Sequence, residues 1–283
     1  MDLIEIFQTA NPVIGVVHLL PLPTSPRWQG DLRAVVARAE QEATALASGG
    51  AHGLIVENFF DAPFPKSTVD PAVVSAMTMV VQRLRQLVTL PMGINVLRND
   101  ARSALAIAAC TGADFIRVNV LAGVMATDQG LIEGDAHNIL RYRRELGADV
   151  KILADVLVKH ASPLGETDVA TAVEDTIHRG LADGIVLSGL ATGKSPDTDQ
   201  LQTARAAAGD TPVFIGSGAS AQNIDKLIRF ADGAIVSSSL KRKGHIDQPI
   251  DPVRVREFVT ALAQGVEMRS QSVAKTSHSV AVG

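Results

Sequence analysis

The chain has 283 residues, 46% of them hydrophobic and 20% charged, with a formal charge of −4, so it can fill a sizeable core as one large domain or two small ones. That charge excludes general attraction to polyanions, and an aromatic content of 4% excludes the stacking surface of single-strand nucleic-acid readers; no nucleic-acid partner is expected. The single cysteine, Cys110, cannot form an internal disulfide and reads as a buried thiol in the small-residue run "ALAIAACTGAD", in a reducing compartment.

The chain begins "MDLIEIFQTANPVIGVVHLL", with an acidic start and no signal-peptide cleavage pattern. Its apolar stretch is broken by Asn11 and Pro12 and is too short to span a bilayer. β-Branched runs then recur at 13–18, 53–58, 92–97, 114–119, 150–156, 184–189, 212–218 and 233–238. Helical periodicity fills the intervals, clearest in "DLRAVVARAEQEATALASGG" and "PAVVSAMTMVVQRLRQLV". Gly-Ala-Asp type turns lead into several of the strands. Apolar strands alternating with helices in this way predict an α/β fold, a (β/α)8 TIM barrel of the phosphate-binding type. A doubly wound sheet is the alternative, but the first βα junction, "VHLLPLPTSPRWQGD", is proline-rich where a dinucleotide fold carries glycines. The barrel is expected over 1–268 as a single domain, with a disordered, Ser-rich tail over 269–283.

In such a barrel the chemistry sits at the C-terminal ends of the strands. Those ends offer His18, then Glu57 and Asn58, then Asn95, Arg98, Asn99 and Asp100. They continue with Arg117 and Asn119, then Asp155, Lys159 and His160, then Ser188. The candidate catalytic groups are His18, Glu57, Arg117, Asn119, Asp155 and Lys159, with Glu57 or Asp155 as acid–base group and His18 as base or polarising residue. Arg117 and Lys159 would stabilise negative charge. Arg117 shares a face with Asn119, and Lys151 shares one with Asp155, a layer deeper. The competing reading is that Arg117 and Lys151 simply neutralise Glu57 and Asp155 across the mouth. No metal is expected, because a site built from His18, Glu57 and Asp155 lacks any close ligand motif.

Two long loops stand out. "ENFFDAPFPK" (57–66) reads as a lid, a partner surface or a packed cap, and "GVMATDQGLIEGDAH" (123–137) could bring Thr127, Asp128 and Gln129 to a ligand. "ATGKSPDTDQ" lacks the glycine pattern of a P-loop, and its Ser195–Pro196 step with Asp197 and Asp199 reads as a turn into a helix cap. At the seventh and eighth strand ends, Gly216, Ser217 and Gly218 face Ser237, Ser238 and Ser239 as a candidate phosphate seat built on loop amides and hydroxyls. A helix start capped near Ser220 adjoins it, and Lys241, Arg242 and Lys243 either add charge or form a solvated surface.

The strings "NPVIGVVHLLPLP", "IVENFFDAPF", "GINVLRND", "ADFIRVNVLAGVMATDQGLIEG", "KILADVLVKHA" and "VFIGSGA" resemble the BtpA family over almost the whole chain before the tail. The resemblance implies a (β/α)8 barrel that supports accumulation or stability of photosystem I reaction-centre proteins or their assembly intermediates. It also implies peripheral attachment to the cytoplasmic side of the thylakoid membrane. It carries no established reaction, residue role or cofactor. An enzyme acting on a small phosphorylated metabolite is therefore the alternative function, and a homo-oligomer is allowed.

Overall fold

The computed structural model describes residues 1–165, 167–189 and 196–280, with side chains as far as 271. Eight parallel strands close into a barrel: β1 (Val13–His18), β2 (Gly53–Glu57), β3 (Met92–Asn95), β4 (Phe115–Val118), β7 (Lys151–Val156), β9 (Gly184–Leu187), β10 (Val213–Ile215) and β11 (Gly233–Val236). They fall on the eight apolar runs of the sequence, but most stop earlier at the C-terminal end. There the backbone leaves the ladder to form the mouth loops.

The crossovers obey the local rules of helix formation. Helix α2 (Leu32–Gly49) is capped by Asp31 and ends at Gly50, with φ of 86°, a conformation that costs glycine nothing. Helix α3 (Pro71–Leu87) begins with proline at its first turn behind Asp70, where the missing N–H is no loss. Helices α4 (Ala101–Thr111), α5 (Ala136–Glu145), α6 (Val169–Glu174) and α7 (Thr198–Ala208) follow, with α8 (Ile224–Leu227) reduced to a single turn. Asp197 caps α7, whereas Ser195 lies outside the described residues.

The recurrent turn before each strand has a structural purpose. Asp114 accepts from the Met92 N–H at 2.8 Å and faces Arg85; Asp183 accepts from Ile152 N–H at 2.8 Å and from Arg143 at 2.7 Å. Asp232 repeats the pattern with Val213 N–H at 2.9 Å and Arg205 at 2.6 Å. His52 takes the same place with its Nδ1 3.1 Å from Val13 N. Each such side chain satisfies an N–H at the start of the preceding strand, which would otherwise be orphaned at the closed end of the barrel. Lys151, on the inward face of β7, belongs to this end too. It pairs at 2.6 Å with the exposed Asp149, so it takes no part in charge neutralisation at the mouth.

Inside the barrel, Val16, Ile55, Phe115, Leu153, Val186, Phe214 and Ile235 form an apolar layer. Gly93 gives the Phe115 ring its room, since a Cβ there would stand 2.2 Å from it. The short helix α1 (Leu3–Phe7) closes the floor, with Phe7 edge-on to Phe115 at 5.6 Å. A side chain on such a layer contributes about 1.5–3 kcal/mol by burial.

Two departures from expectation are local. Cys110 is exposed, not buried, because α4 turns Ala104, Leu105, Ile107, Ala108 and Thr111 to the core and leaves Cys110 on the other side. The loop 123–137 forms an antiparallel hairpin, β5 (Val124–Thr127) with β6 (Gly130–Glu133), joined by β8 (Ala161–Pro163). Helix α9 (Pro252–Val280) packs on the outside of the barrel. Arg269 holds it to the barrel through the carbonyls of Ile228 at 3.0 Å and Ala231 at 3.1 Å. Among the described residues no helix is long and apolar enough to cross a membrane.

Candidate functional site

Strand parity sets the site. Above the apolar layer, each of the eight strands delivers one inward position: His18, Glu57, Asn95, Arg117, Asp155, Ser188, Gly216 and Ser237. The period of two that turns Val16, Ile55 and Leu153 inward also turns His18, Glu57 and Asp155 inward. The polar ring therefore follows from the same register as the core.

The ring divides into two hydrogen-bonded groups. Arg117 grips Asp155 with Nη2 at 2.8 Å and Nε at 3.2 Å, and Asn119 donates from Nδ2 to the same carboxylate. The Arg117 and Asp155 side chains are 4% and 0% exposed. Burial works against the Arg117 charge, but the carboxylates of Asp155 and Glu57 outweigh it and hold the guanidinium above its ordinary value. With both oxygens of Asp155 engaged, the pairing expected for Arg117 is present, and Asp155 serves as its fixed counterion.

In the second group, Glu57 accepts from Asn95 Nδ2 at 2.7 Å and turns Oε1 toward His18 Nε2 at 3.6 Å. His18 stacks on Phe59 at 4.2 Å and lies 3.4 Å from the Ser237 hydroxyl. Burial, reinforced by Lys241, Lys159 and Arg117, pushes its proton affinity well below the usual 6.5. His18 is therefore neutral near pH 7, with a lone pair available on one ring nitrogen.

That shift has a measurable sign. As pH falls below about 6.5, the unfolded chain protonates this histidine before the folded chain does. Its stabilising contribution is complete above the unfolded value and is lost as pH drops toward the folded one. Urea titrations between about pH 7 and pH 5 should show a shallower loss of stability for His18→Gln than for the parent. The slope is reduced and not abolished, because His52 and His160 are also held low, chiefly by burial. An unchanged slope would contradict a neutral, buried His18.

Lys159 enters from the loop after β7. Burial, then the neighbouring Arg117, lowers its proton affinity. Among the described residues no hydrogen bond or ion pair engages its ammonium group, although its carbonyl accepts from Arg98 Nη2 at 2.8 Å. Lys159 lines a cavity of about 400 Å³, and Gly216–Ser220 with Ser237–Ser239 form another part of its wall.

That wall is the predicted phosphate seat, and the structure brings all six of its residues to one cavity. At Gly216 a Cβ would stand 2.4 Å from Val186 and 2.6 Å from the Ser188 hydroxyl, so only glycine fits. Gly218 adopts φ of 71°, and its carbonyl accepts from Asn223 Nδ2 at 3.0 Å. Ser239 ties the two loops together by donating to the Ala219 carbonyl at 2.7 Å. The cap belongs to Asn223 and not to Ser220; Ser220 N–H donates to Asn223 Oδ1 at 2.8 Å.

The basic run splits by side. Arg242 and Lys243 are exposed, whereas Lys241 is fully buried behind the seat, 2.8 Å from both oxygens of Glu42 on α2. Arg38 shares that carboxylate at 2.7 Å. This Glu42-centred latch, with two cations on one anion, was not legible from the sequence, because its members lie 199 residues apart.

Other predicted residues are structural. Asn58 joins two mouth loops by accepting from Leu97 N–H at 2.7 Å, Asn99 does so with Val120, and Asp100 caps α4. Thr127 and Gln129 bond within their own hairpin. Among the described residues no three His, Cys, Asp or Glu side chains converge as a metal site, and Arg117 and Asn119 already occupy Asp155.

The BtpA family model matches residues 9–264. The chain belongs to the BtpA family. It is 69% identical over 269 residues, 95% of its length and 94% of the relative's, to the photosystem I biogenesis protein BtpA of Synechocystis. It is also 45% identical to an uncharacterized protein of Thermococcus kodakarensis, covering 93% of this chain and 98% of the relative. Among solved structures, this BtpA-family chain is similar to thiamine phosphate pyrophosphorylase from Pyrococcus furiosus, with a TM-score of 0.55 and 13% identity over 90% of this chain and 96% of the other. It is likewise similar to N-(5'-phosphoribosyl)anthranilate isomerase from the same organism, with a TM-score of 0.54 and 15% identity over 90% and 99%. At that identity these structures share the (β/α)8 fold with the BtpA-family barrel.

Proposed function

We propose that this BtpA-family barrel is an enzyme acting on a small phosphorylated metabolite. The observation that carries the reading is that Lys159, whose ammonium has no hydrogen-bond or ion-pair partner among the described residues, lines one cavity with Gly216–Gly218 and Ser237–Ser239. Backbone N–H groups and hydroxyls there take the phosphate, and Lys159 supplies the compensating charge. Glu57 and His18 are the acid–base pair, since His18 is neutral and Glu57 Oε1 faces it. Arg117, fixed by Asp155, stabilises negative charge that develops on the substrate. No resident cofactor is invoked.

Gly218→Asp tests the seat. Aspartate tolerates the left-handed backbone better than most residues, so the change chiefly places a negative charge where the phosphate goes. Calorimetric titration with ribose 5-phosphate should show binding to the parent chain, weakened at least tenfold in the variant. Equal affinity in both would refute the seat.

A second reading is favoured by the 69% identity to the Synechocystis protein. In it the chain supports photosystem I biogenesis, acting on reaction-centre proteins or their assembly intermediates from the cytoplasmic face of the thylakoid. Archaeal relatives at 45% identity, from organisms without photosystems, support the metabolic reading as the older one. The same variant separates the two in a photosynthetic host. Photosystem I restored by Gly218→Asp would make that role independent of the phosphate seat.

A further inference from the structure

The mouth has a second lobe, and three of the chain's eight phenylalanines gather on the loop that builds it. Phe59, Phe60 and Phe64 are half-buried there with Leu97 around a cavity of about 340 Å³. This lobe opens directly from the phosphate cavity, sharing Glu57, Phe59, Arg117 and Lys159 with it. In a protein with an aromatic content of 4%, such a concentration at a polar mouth is not what core packing needs. Phe115, Phe214 and Phe258 do that work, fully buried.

The rings are arranged to receive another ring. Phe59 gives one face to His18 at 4.2 Å, while Phe60 stands edge-on to Phe59 at 5.3 Å. Asn119 also lines the lobe. Its Nδ2 donates to Asp155, which fixes the amide at the edge of the lobe.

We infer that the phosphate ester bound here carries a planar ring, as a nucleoside monophosphate does, with the phosphate between the Gly216 and Ser237 loops and the ring in the Phe60–Phe64 lobe. Glu57, Arg117 and Lys159 at the junction of the lobes then face the atoms that join ring to phosphate. This assignment rests on the phosphate seat proposed above and names the chemical class that seat serves.

Calorimetry on the intact chain with inorganic phosphate, ribose 5-phosphate and adenosine 5'-monophosphate tests it. The nucleotide should bind at least tenfold more tightly than ribose 5-phosphate, the margin that stacking of one base supplies. Phe64→Ala, at a partly exposed loop position that the barrel core does not use, should erase that margin while leaving ribose 5-phosphate affinity unchanged. Phe60→Ala should act in the same direction. Ribose 5-phosphate binding with no gain from the ring would overturn the ring lobe and leave the seat standing, as would a margin that survives in both variants. Binding of neither ester would overturn both readings.

Discussion

Asp155→Asn lowers the unfolding free energy by about 3–5 kcal/mol, because it leaves the Arg117 guanidinium buried and without its charge partner. Both side chains are almost wholly enclosed, and the two hydrogen bonds at 2.8 and 3.2 Å supply the geometry that makes such a pair tolerable. Urea unfolding at pH 7 reads the loss as a lower midpoint with an unchanged slope. Glu57 is the remaining carboxylate near Arg117. A loss well under 1 kcal/mol would mean that Glu57 takes over, and that Asp155 is free for other work. Replacing both members, Arg117→Met with Asp155→Leu, should recover most of the stability, since an apolar pair can substitute for a buried ion pair. It should not recover ligand binding. That split separates the structural role of the pair from its place in the mouth.

Glu42→Gln should be comparably damaging, at about 3–5 kcal/mol near neutral pH. In the parent, one carboxylate compensates Lys241, which is 0% exposed, and Arg38 beside it. Burial already lowers the proton affinity of Lys241 against the pull of Glu42, so removing the carboxylate lowers it further. The sign with pH follows. The unfolded lysine then holds its proton at pH values where the folded one sheds it, so stability of the variant rises as pH is raised. Urea midpoints at pH 7 and pH 9 would show the gap to the parent narrowing. A constant gap would mean that Lys241 finds another partner. Because Lys241 closes the turn that begins at Ser238, the variant should also bind ribose 5-phosphate more weakly.

Much of the candidate site is legible in the order of the residues alone. Alternation within "FIRVN" and "KILAD" puts Arg117 and Asp155 at strand ends, and the pair of small-residue turns after the last two strands marks the seat. A period of two needs no tertiary information. Which charges pair does. Lys151 and Asp155 share a face of β7, yet Lys151 faces the closed end and bonds Asp149. Asp155 and Glu57 look equivalent in the sequence, but one is saturated by Arg117 and Asn119 while the other keeps an oxygen toward His18. Cys110 is exposed for a related reason that its sequence neighbours hide, since a run of small residues does not show which side of a helix meets the core.

The amino-acid sequence by itself determined the strand and helix alternation, the inward parity of the polar strand ends and the glycines that the seventh strand end requires. These depend on backbone sterics and on periodicities only a few residues long. Barrel closure brought β1 against β11 and set His18 beside Ser237, 219 positions away in the chain. Closure likewise joined Lys241 to Glu42 and brought the phenylalanine loop beside the proposed phosphate seat. Such contacts between distant segments leave no local pattern, because their energy is gained only when the sheet has closed and water has left the space between them.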